Sequence, residues 1–188
     1  MLLFPESARL HSLSDIRRNK AMLPGDRGLY SLFFRVAPGI APTNGCFVRD
    51  GASLLYIGTA GADLAKEGNL RNRLGNQHLG GNERRSTVCL TLASLLPEIA
   101  GASVARVERG RVKFHTSPDG AARLRAWMDA NIVACWVSHP QPAEGEAELV
   151  RRYSTPLNIE FSAHPFVGTL KALRDARRAS ALPATGSD

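Results

Sequence analysis

Residues 28–36 read GLYSLFFRV, and residues 53–59 read SLLYIGT. Both stretches are rich in aromatic and aliphatic side chains, which is typical of strands that lie in a sheet. Between them, residues 37–52 contain several glycines and prolines, so this stretch is predicted to be a loop. Two neighbouring strands joined by one loop favour an antiparallel hairpin, which we take as the centre of the fold.

The rest of the chain shows helical and strand patterns in turn. Asn69 can cap a short helix that Gly75 weakens, and Ser86 or Thr87 can begin an apolar helix that ends near Pro97. Further elements are predicted in chain order: a basic hairpin at 103–115, a helix at 120–131, a buried strand at 132–137, a helix at 143–153 and a basic helix at 166–179. This order predicts an α+β, or layered α/β, fold with a small central antiparallel or mixed sheet of about three strands flanked by helices.

Length and composition favour one compact domain. The chain has 188 residues, of which 44% are hydrophobic, and such a chain can bury a core without disulfides. We expect four parts in chain order: an N-terminal entry segment at 1–27, the main domain at 28–165, a basic helix at 166–180 packed on that domain, and a flexible tail at 181–188.

The charge balance favours a polyanionic partner. Lys and Arg number 24 against 17 acidic residues, which gives a net charge of +7. A basic surface attracts phosphates at long range. The N-terminus lacks the basic start and apolar core of a signal peptide, and no apolar run approaches the ~18 residues of a membrane helix. These features favour a nucleic acid over a membrane as partner, and a cytoplasmic location.

The cysteines offer little chemistry. Cys46, Cys89 and Cys135 form no CxxC pair and no cluster with zinc-ligand spacing. They are predicted to be small buried side chains, and their spacing does not indicate disulfides that would require an oxidising compartment. A cysteine hydrolase that uses Cys135 with His139 is a rival hypothesis, but no acidic residue or motif supports it.

The triplets Gly28-Leu29-Tyr30 and Tyr56-Ile57-Gly58 resemble the paired signature of GIY-YIG nucleases, with Leu for Ile in the first triplet. In that family an arginine follows on the next helix, a glutamate on a later helix and an asparagine shortly after it. Here LRNRL at 70–74, EAELV at 146–150 and PLN at 156–158 resemble these three features in the same order. The resemblance spans residues 28–158, most of the chain.

The resemblance implies a small metal-dependent endonuclease that hydrolyses phosphodiester bonds of DNA, with RNA as an alternative substrate. The implied catalytic residues are Tyr30, Tyr56, Arg73, His78, Glu146 and Asn158. Such hydrolysis needs an activated water and charge stabilisation on the phosphoryl oxygens. A tyrosine hydroxyl can position or deprotonate water, a guanidinium can bind phosphate, and a carboxylate can hold Mg²⁺ or Mn²⁺. Which tyrosine meets the water is left open.

Helical spacing selects Glu146 as the metal ligand. Leu149 and Val150 follow Glu146 by three and four residues, so Glu146 shares their inward face. Glu144 and Glu148 lie about 200° around the helix from it. An acid on an apolar face needs a partner, and a metal ion can be that partner. Glu148 is the alternative candidate for the metal ligand.

Three further positions leave alternatives open. Arg71 competes with Arg73 for the phosphate, and the family spacing favours Arg73. His78 follows Arg73 by five residues rather than the four of an unbroken helical turn. A catalytic or phosphate-binding role and a structural role for His78 are therefore equally favoured. Thr59 stands where relatives often have lysine, and Lys66 is a candidate substitute for that cation.

Asn158 has two possible roles, since its amide can hold the local geometry or help to position the metal site. Other basic side chains are predicted to contact nucleic-acid phosphates: Lys66, Arg71, Arg84, Arg85, Arg109, Arg111 and Lys113. A basic stripe on the last helix is either a further contact or a solvated face: Lys171, Arg174, Arg177 and Arg178. The alternative to a nuclease is a non-catalytic nucleic-acid-binding module that retains the same fold.

Overall fold

The computed structural model describes residues 4–63, 68–108 and 110–183. The strands in these ranges are β1 (His11–Ser12), β2 (Gly28–Phe34), β3 (Val48–Arg49), β4 (Ala52–Ala60), β5 (Ser103–Glu108), β6 (Arg111–Thr116), β7 (Ile132–Ser138) and β8 (Leu182–Pro183). The α-helices are α1 (Leu13–Arg18), α2 (Thr87–Leu95), α3 (Pro97–Ala100), α4 (Pro118–Asn131), α5 (Pro142–Tyr153) and α6 (Val167–Ala179). Lys20–Met22 and His78–Gly80 form 3-10 turns, and Arg71–Gln77 forms a π-helical segment.

The central sheet is antiparallel, with the strand order β1-β7-β2-β4-β3. Strand β2 lies in the middle and is buried along its whole length. The predicted hairpin of β2 with β4 is confirmed, with Tyr30 opposite Gly58. Three long strands carry the sheet as predicted, and two-residue edge strands extend it to five. The α+β fold predicted from the sequence is therefore confirmed.

The sheet separates two apolar clusters because successive side chains of a strand point to opposite faces. Tyr30, Leu32 and Tyr56 belong to the larger cluster, which α1, α2, α4 and α6 cover. Leu29 and Phe33 belong to the smaller cluster, which also contains apolar side chains of α5 and the N-terminal segment. Both signature tyrosines therefore lie on the same face of the sheet.

The predicted basic hairpin forms a second sheet. Strands β5 and β6 pair from Ser103↔Thr116 to Glu108↔Arg111, and β8 pairs in parallel with β5. Gly110 adopts a positive φ of 73° at the turn, a conformation that glycine tolerates without strain. Near the tip, Val107 and Val112 face each other across the strands and are exposed.

A buried ion pair fixes α6 to the second sheet. Arg177 Nε donates to Glu83 Oε2 at 2.7 Å, and Ser103 Oγ donates to the other carboxylate oxygen at 2.6 Å. The side chains of Arg177 and Glu83 are 6% and 1% exposed. Arg177 also donates to the carbonyl of Gly101. The charged groups are thus paired and hydrogen-bonded, as burial requires.

The cysteines in the described ranges are free thiols. Cys89 and Cys135 are buried as predicted, whereas Cys46 is only partly buried. Burial raises the pKa of the Cys135 thiol to about 12, so Cys135 is unsuited to be a nucleophile at neutral pH. No helix among the described residues has the length and apolar character needed to cross a membrane.

Candidate active site

A cleft of about 330 Å³ opens on the tyrosine face of the central sheet. Five of the predicted catalytic residues line it: Tyr30, Tyr56, Arg73, Glu146 and Asn158. They come from β2, β4, the π-helical segment, α5 and the turn that follows α5. The fold therefore brings together side chains that are up to 128 positions apart in the sequence. A larger depression of about 620 Å³, near Asp26 and His139, is lined by none of these five residues.

The two tyrosines differ in access to solvent. Tyr30 is fully buried, whereas Tyr56 keeps 8% of its surface exposed. The two phenols are near enough to influence each other's pKa, and the side chain of Thr87 at the start of α2 also acts on that of Tyr56. Burial raises the pKa of both phenols, and that of Tyr30 lies well above 10. Tyr56 is therefore the more accessible of the two tyrosines, whose hydroxyls are both neutral.

The absence of a side chain at Gly58 permits this arrangement. A Cβ atom at position 58 would collide with the hydroxyl and ring of Tyr30 and with the ring of Tyr56. The Tyr30 and Tyr56 ring centroids lie 6.2 Å apart. The glycine of the second triplet thus creates the space in which both rings pack.

His78 lies behind Tyr30 rather than in the cleft. The Tyr30 hydroxyl and His78 Nε2 are 2.5 Å apart, and His78 Nδ1 and Ser86 Oγ are 2.6 Å apart. His78 is 1% exposed. Burial, and secondarily the charge of Arg73, holds its pKa well below 6.5, so the imidazole is neutral. A continuous hydrogen-bond chain thus runs from Tyr30 through His78 to Ser86, and the Tyr56 ring lies beside its Tyr30 end.

The five-residue interval between Arg73 and His78 has a structural explanation. The N–H of His78 donates to the carbonyl of Arg73, which is the i→i−5 bond of a π-helix, and it also reaches the carbonyl of Leu74. A π-turn contains one residue more than an α-turn. The extra residue is therefore accommodated within one turn, and His78 still reaches Tyr30.

Arg73 faces the cleft and Arg71 does not line it. Arg73 Nη1 donates to Gln77 Oε1 at 2.6 Å, which orients the guanidinium from within the same segment. Arg71 is exposed, and its Nε donates to the carbonyl of Leu23 at 3.0 Å. The structure thus places at the cleft the arginine that the sequence motif indicated.

Glu146 is partly buried, whereas Glu144 and Glu148 are exposed, as the helical spacing predicted. Thr59 Oγ1 donates to Glu146 Oε2 at 3.4 Å. Burial raises the pKa of Glu146 to about 7, although the hydrogen bond from Thr59 opposes this shift. The charges of Glu160, which raises the pKa, and Arg73, which lowers it, act more weakly. Such a carboxylate lacks a strong positive partner, which a cation can supply.

The donors around Glu146 fit a hard cation that keeps most of its water. The described residues contain no group of three or more His, Cys, Asp or Glu side chains that could hold a metal ion. A zinc-type site is therefore not formed by these residues. Mg²⁺ usually binds through one or two carboxylates and retains several waters, so a single glutamate in a polar cleft suits it.

Asn158 uses its amide to hold strand β4. Its Oδ1 accepts from the N–H of Ile57 at 2.9 Å, and its Nδ2 donates to the carbonyl of Ile57 at 2.8 Å. Thr155 Oγ1 donates to the same Oδ1 at 2.8 Å. Strand β3 pairs only with the first residues of β4, so Asn158 satisfies backbone groups at an otherwise open edge. Of its two expected roles, these contacts favour that of holding the geometry.

One lining residue was not singled out by the sequence motifs. Arg174 of α6 lines the cleft with Tyr56 and Glu146, and its Nε donates to Thr91 Oγ1 at 3.1 Å. Its position gives a signal that could have found it. Arg174 lies four residues after the buried Leu170 and three before the buried Arg177, which places it on the inward side of the helix.

Four of the predicted phosphate-binding side chains line a connected set of depressions: Arg84, Arg85, Arg111 and Lys113. A second depression adjoins the cleft at Arg73, and a third adjoins the second at Gln77. A fourth depression, lined by Arg111 and Lys113, adjoins the third at Arg84. The third depression is also lined by Arg85. Arg84, Arg85, Arg111 and Lys113 are exposed, as phosphate contact requires, whereas Arg73 is partly buried.

Some of the predicted phosphate-binding side chains are already paired or lie outside the described residues. Arg84 is paired with Glu108, and its Nε donates to the carboxylate at 2.8 Å, so part of its charge is already compensated. The predicted contacts Lys66 and Arg109 lie outside the described residues. The positive charge along the depressions from the cleft to the second sheet therefore comes mainly from Arg73, Arg85, Arg111 and Lys113.

Comparison with known proteins agrees with the sequence motifs. A family model described as the GIY-YIG catalytic domain matches residues 28–178. This match covers most of the chain and extends beyond the asparagine turn into α6. No curated protein and no solved structure matches the chain significantly.

Proposed function

We propose that this chain, which belongs to the GIY-YIG catalytic-domain family, is a metal-dependent endonuclease that hydrolyses phosphodiester bonds of DNA. The observation that carries this proposal is the meeting of Tyr56, Arg73 and Glu146 in one cleft. A hydroxyl, a guanidinium and a carboxylate are the groups that water activation, phosphate binding and cation binding need. A module that only bound nucleic acid would not need all three groups together.

Tyr56 is the tyrosine proposed to contact the attacking water, because it is the more accessible of the two side chains. In this arrangement the neutral His78 accepts at Nε2 from the Tyr30 hydroxyl, and its Nδ1–H donates to Ser86. Tyr30 can then accept from Tyr56, whose oxygen is left able to accept from water. The buried chain thus fixes the direction of the hydrogen bonds, and Tyr30 and His78 act as positioning residues.

Arg73 and Glu146 are proposed to carry the charges of the reaction. The guanidinium of Arg73 binds the phosphoryl oxygens, on which negative charge increases as water attacks. Glu146 would hold Mg²⁺ or Mn²⁺, which when bound supplies positive charge to the phosphate and the leaving oxygen. Asn158 keeps Ile57, and with it the neighbouring Tyr56, in register.

The basic depressions are proposed to guide the nucleic-acid backbone. Cations extend from the partly buried Arg73 in the cleft past the exposed Arg84 and Arg85 to the β5–β6 hairpin. Phosphate contacts of this kind position a duplex without reading its sequence. DNA is the proposed partner, and RNA is an alternative that cleavage assays distinguish. A cytoplasmic location stays a prediction from the sequence.

The first experiment is cleavage of supercoiled plasmid in Mg²⁺ or Mn²⁺ by wild type, Glu146→Gln and Arg73→Ala. We expect wild type to nick or linearise the plasmid, EDTA to stop the reaction, and each variant to lose about 10²-fold or more in rate. Glu148→Gln is the matched control, since Glu148 is exposed on the same helix two residues away. It should cleave like wild type.

Two outcomes would contradict this proposal. Equal cleavage by wild type and Glu146→Gln would remove Glu146 from the mechanism. Binding without cleavage of plasmid, branched DNA or RNA would favour the non-catalytic module instead.

A further inference from the structure

We propose that Arg174 of α6 is a second phosphate-binding cation of the cleft, which contacts the same phosphodiester as Arg73. This inference rests on the proposed function, and it assigns to the C-terminal helix a role that the signature motifs do not contain. The chain has Thr59 where the family often has lysine, so the cleft lacks a cation at that position. Arg174 supplies a positive charge from a different element.

Arg174 lies in the cleft, beside the groups proposed to carry the reaction. Arg174 lines the cleft together with Tyr56, Arg73 and Glu146. The charge of Arg174 lies close enough to Tyr56 for the two groups to influence each other electrostatically. A phosphate that reaches the water-binding tyrosine would therefore also come near this guanidinium.

The guanidinium of Arg174 is oriented by hydrogen bonds to α2. Arg174 Nε and Nη2 both donate to Thr91 Oγ1, and Nη2 lies 3.5 Å from the carbonyl of Thr87. These contacts hold one edge of the planar guanidinium against α2. Among the described residues, Nη1 has no hydrogen-bond partner, so its two N–H groups are available to a ligand. A guanidinium held in this way needs little further ordering to bind a phosphate.

Arg174 differs in charge pairing from the other arginines near the end of α6. On the same helix Arg177 is paired with Glu83, and Arg178 is paired with Asp175. Arg174 by contrast has only neutral hydrogen-bond acceptors, and no carboxylate forms a salt bridge with it within the described ranges. It is nevertheless partly buried, and burial lowers its pKa. A partly desolvated cation without a counter-charge favours an anionic ligand.

The chemistry of phosphodiester hydrolysis explains what such a residue would add. Two non-bridging oxygens share the negative charge that develops in the transition state, and preorganised donors stabilise that charge strongly. Two guanidinium groups on separate elements can each contact one of these oxygens. Arg174 is therefore expected to affect the rate of cleavage more than the affinity for a long duplex, because a duplex has many other phosphate contacts.

The test compares Arg174→Ala, Arg174→Lys and the control Arg178→Ala. Arg178 is exposed one turn further along the same helix and does not line the cleft. In single-turnover cleavage of plasmid, Arg174→Ala should lose about 10²-fold in rate, and Arg174→Lys should be intermediate because it keeps the charge but loses the planar fork. Arg178→Ala should stay within about twofold of wild type. Guanidinium chloride at a non-denaturing concentration should restore part of the rate of Arg174→Ala.

A purely structural role for Arg174 predicts a different pattern. In that case Thr91→Val and Arg174→Ala would lower the thermal unfolding temperature together, and cleavage below that temperature would be unaffected. Wild-type cleavage rates in Arg174→Ala, or a loss no larger than that of Arg178→Ala, would overturn the proposal. If Arg174→Ala does not fold, the cleavage rate of Arg174→Lys is compared with that of Arg178→Ala instead. A loss in Arg174→Lys no larger than that in Arg178→Ala would then overturn the proposal.

A binding measurement separates this inference from the proposed function. Fluorescence anisotropy of a short labelled DNA duplex in Ca²⁺ reports phosphate contact without requiring cleavage. If wild type cuts no DNA, the proposed function fails, and Arg174→Ala must then weaken duplex binding several-fold more than Arg178→Ala does. Equal weakening by the two variants would overturn the assignment of Arg174.

Discussion

At the scale of single residues, His78 shows how the interior sets the protonation state of the site. Its ring contacts the Tyr30 hydroxyl on one side and Ser86 on the other, and the side chain is almost fully buried. Ser86 Oγ also accepts from the N–H of Cys89 at 3.0 Å. Protonation of His78 would place an uncompensated charge in this interior and would remove the acceptor of the Tyr30 hydroxyl.

The lowered pKa of His78 predicts a loss of stability in mild acid. In the unfolded chain this histidine titrates near 6.5, whereas in the folded protein it titrates well below that value. Below pH 6.5 the unfolded state therefore binds more protons, and the free energy of unfolding falls as the pH is lowered. His78 contributes a slope of up to about 1.4 kcal/mol per pH unit in this window. Denaturant unfolding of wild type and His78→Gln between about pH 5 and 7.5 measures it.

The control for this prediction is Tyr30→Phe, which removes the hydroxyl partner but leaves a buried histidine. It should keep the pH slope although its overall stability is lower. An equal slope in wild type and His78→Gln would show that other groups cause the acid sensitivity.

At the same scale, the sequence located most of the candidate site and missed what depends on tertiary contacts. Helical spacing separated Glu146 from its neighbouring acids, because burial on one helix face is a local property. The position of His78 behind Tyr30 was not predictable, since it depends on a π-turn whose extra residue has no clear local signal. Arg174 was seen only as part of a basic stripe, because its approach to Thr91 requires α6 to pack on α2.

At the scale of secondary-structure elements, the long strands and helices were predictable and the short ones were not. Strands β2, β4 and β7 carry continuous runs of strand-forming residues, which a local pattern can show. The edge strands β1 and β3 contain two residues each, too few for any periodicity. They form because their backbone groups pair with the long strands beside them, β1 with β7 and β3 with β4.

The attachment of α6 gives a prediction at this scale. Arg177→Met leaves Glu83 buried without its cation, and we expect a loss of about 3–5 kcal/mol in the free energy of unfolding. Adding Glu83→Gln to Arg177→Met should recover a large part of that loss, because the uncompensated charge is then removed. Urea unfolding of the single and double variants measures both effects.

A surface pair on the same helix is the control for α6. Arg178 and Asp175 are largely exposed, so Arg178→Ala should cost no more than about 1 kcal/mol. Similar losses for Arg177→Met and Arg178→Ala would mean that the buried pair does not hold α6 in place.

At the scale of the whole molecule, several positive charges line connected depressions that lead away from the cleft. The depressions that lead from the cleft end at Arg111 and Lys113 on the β5–β6 hairpin. These two side chains lie outside the cleft. They are therefore proposed to hold the nucleic acid and to leave the chemical step unaffected.

The salt dependence of binding tests this arrangement. Each lost phosphate contact should reduce the slope of log K against log salt by about 1, so the double variant Arg111→Ala/Lys113→Ala should reduce it by about 2 and weaken duplex binding at moderate salt. The single-turnover cleavage rate at saturating duplex should stay near that of wild type, because the cleft is intact. The double variant Arg18→Ala/Arg123→Ala removes the same net charge from α1 and α4, neither of which contributes to these depressions. An equal change in slope for the two double variants would mean that total charge, and not the path to the hairpin, determines binding.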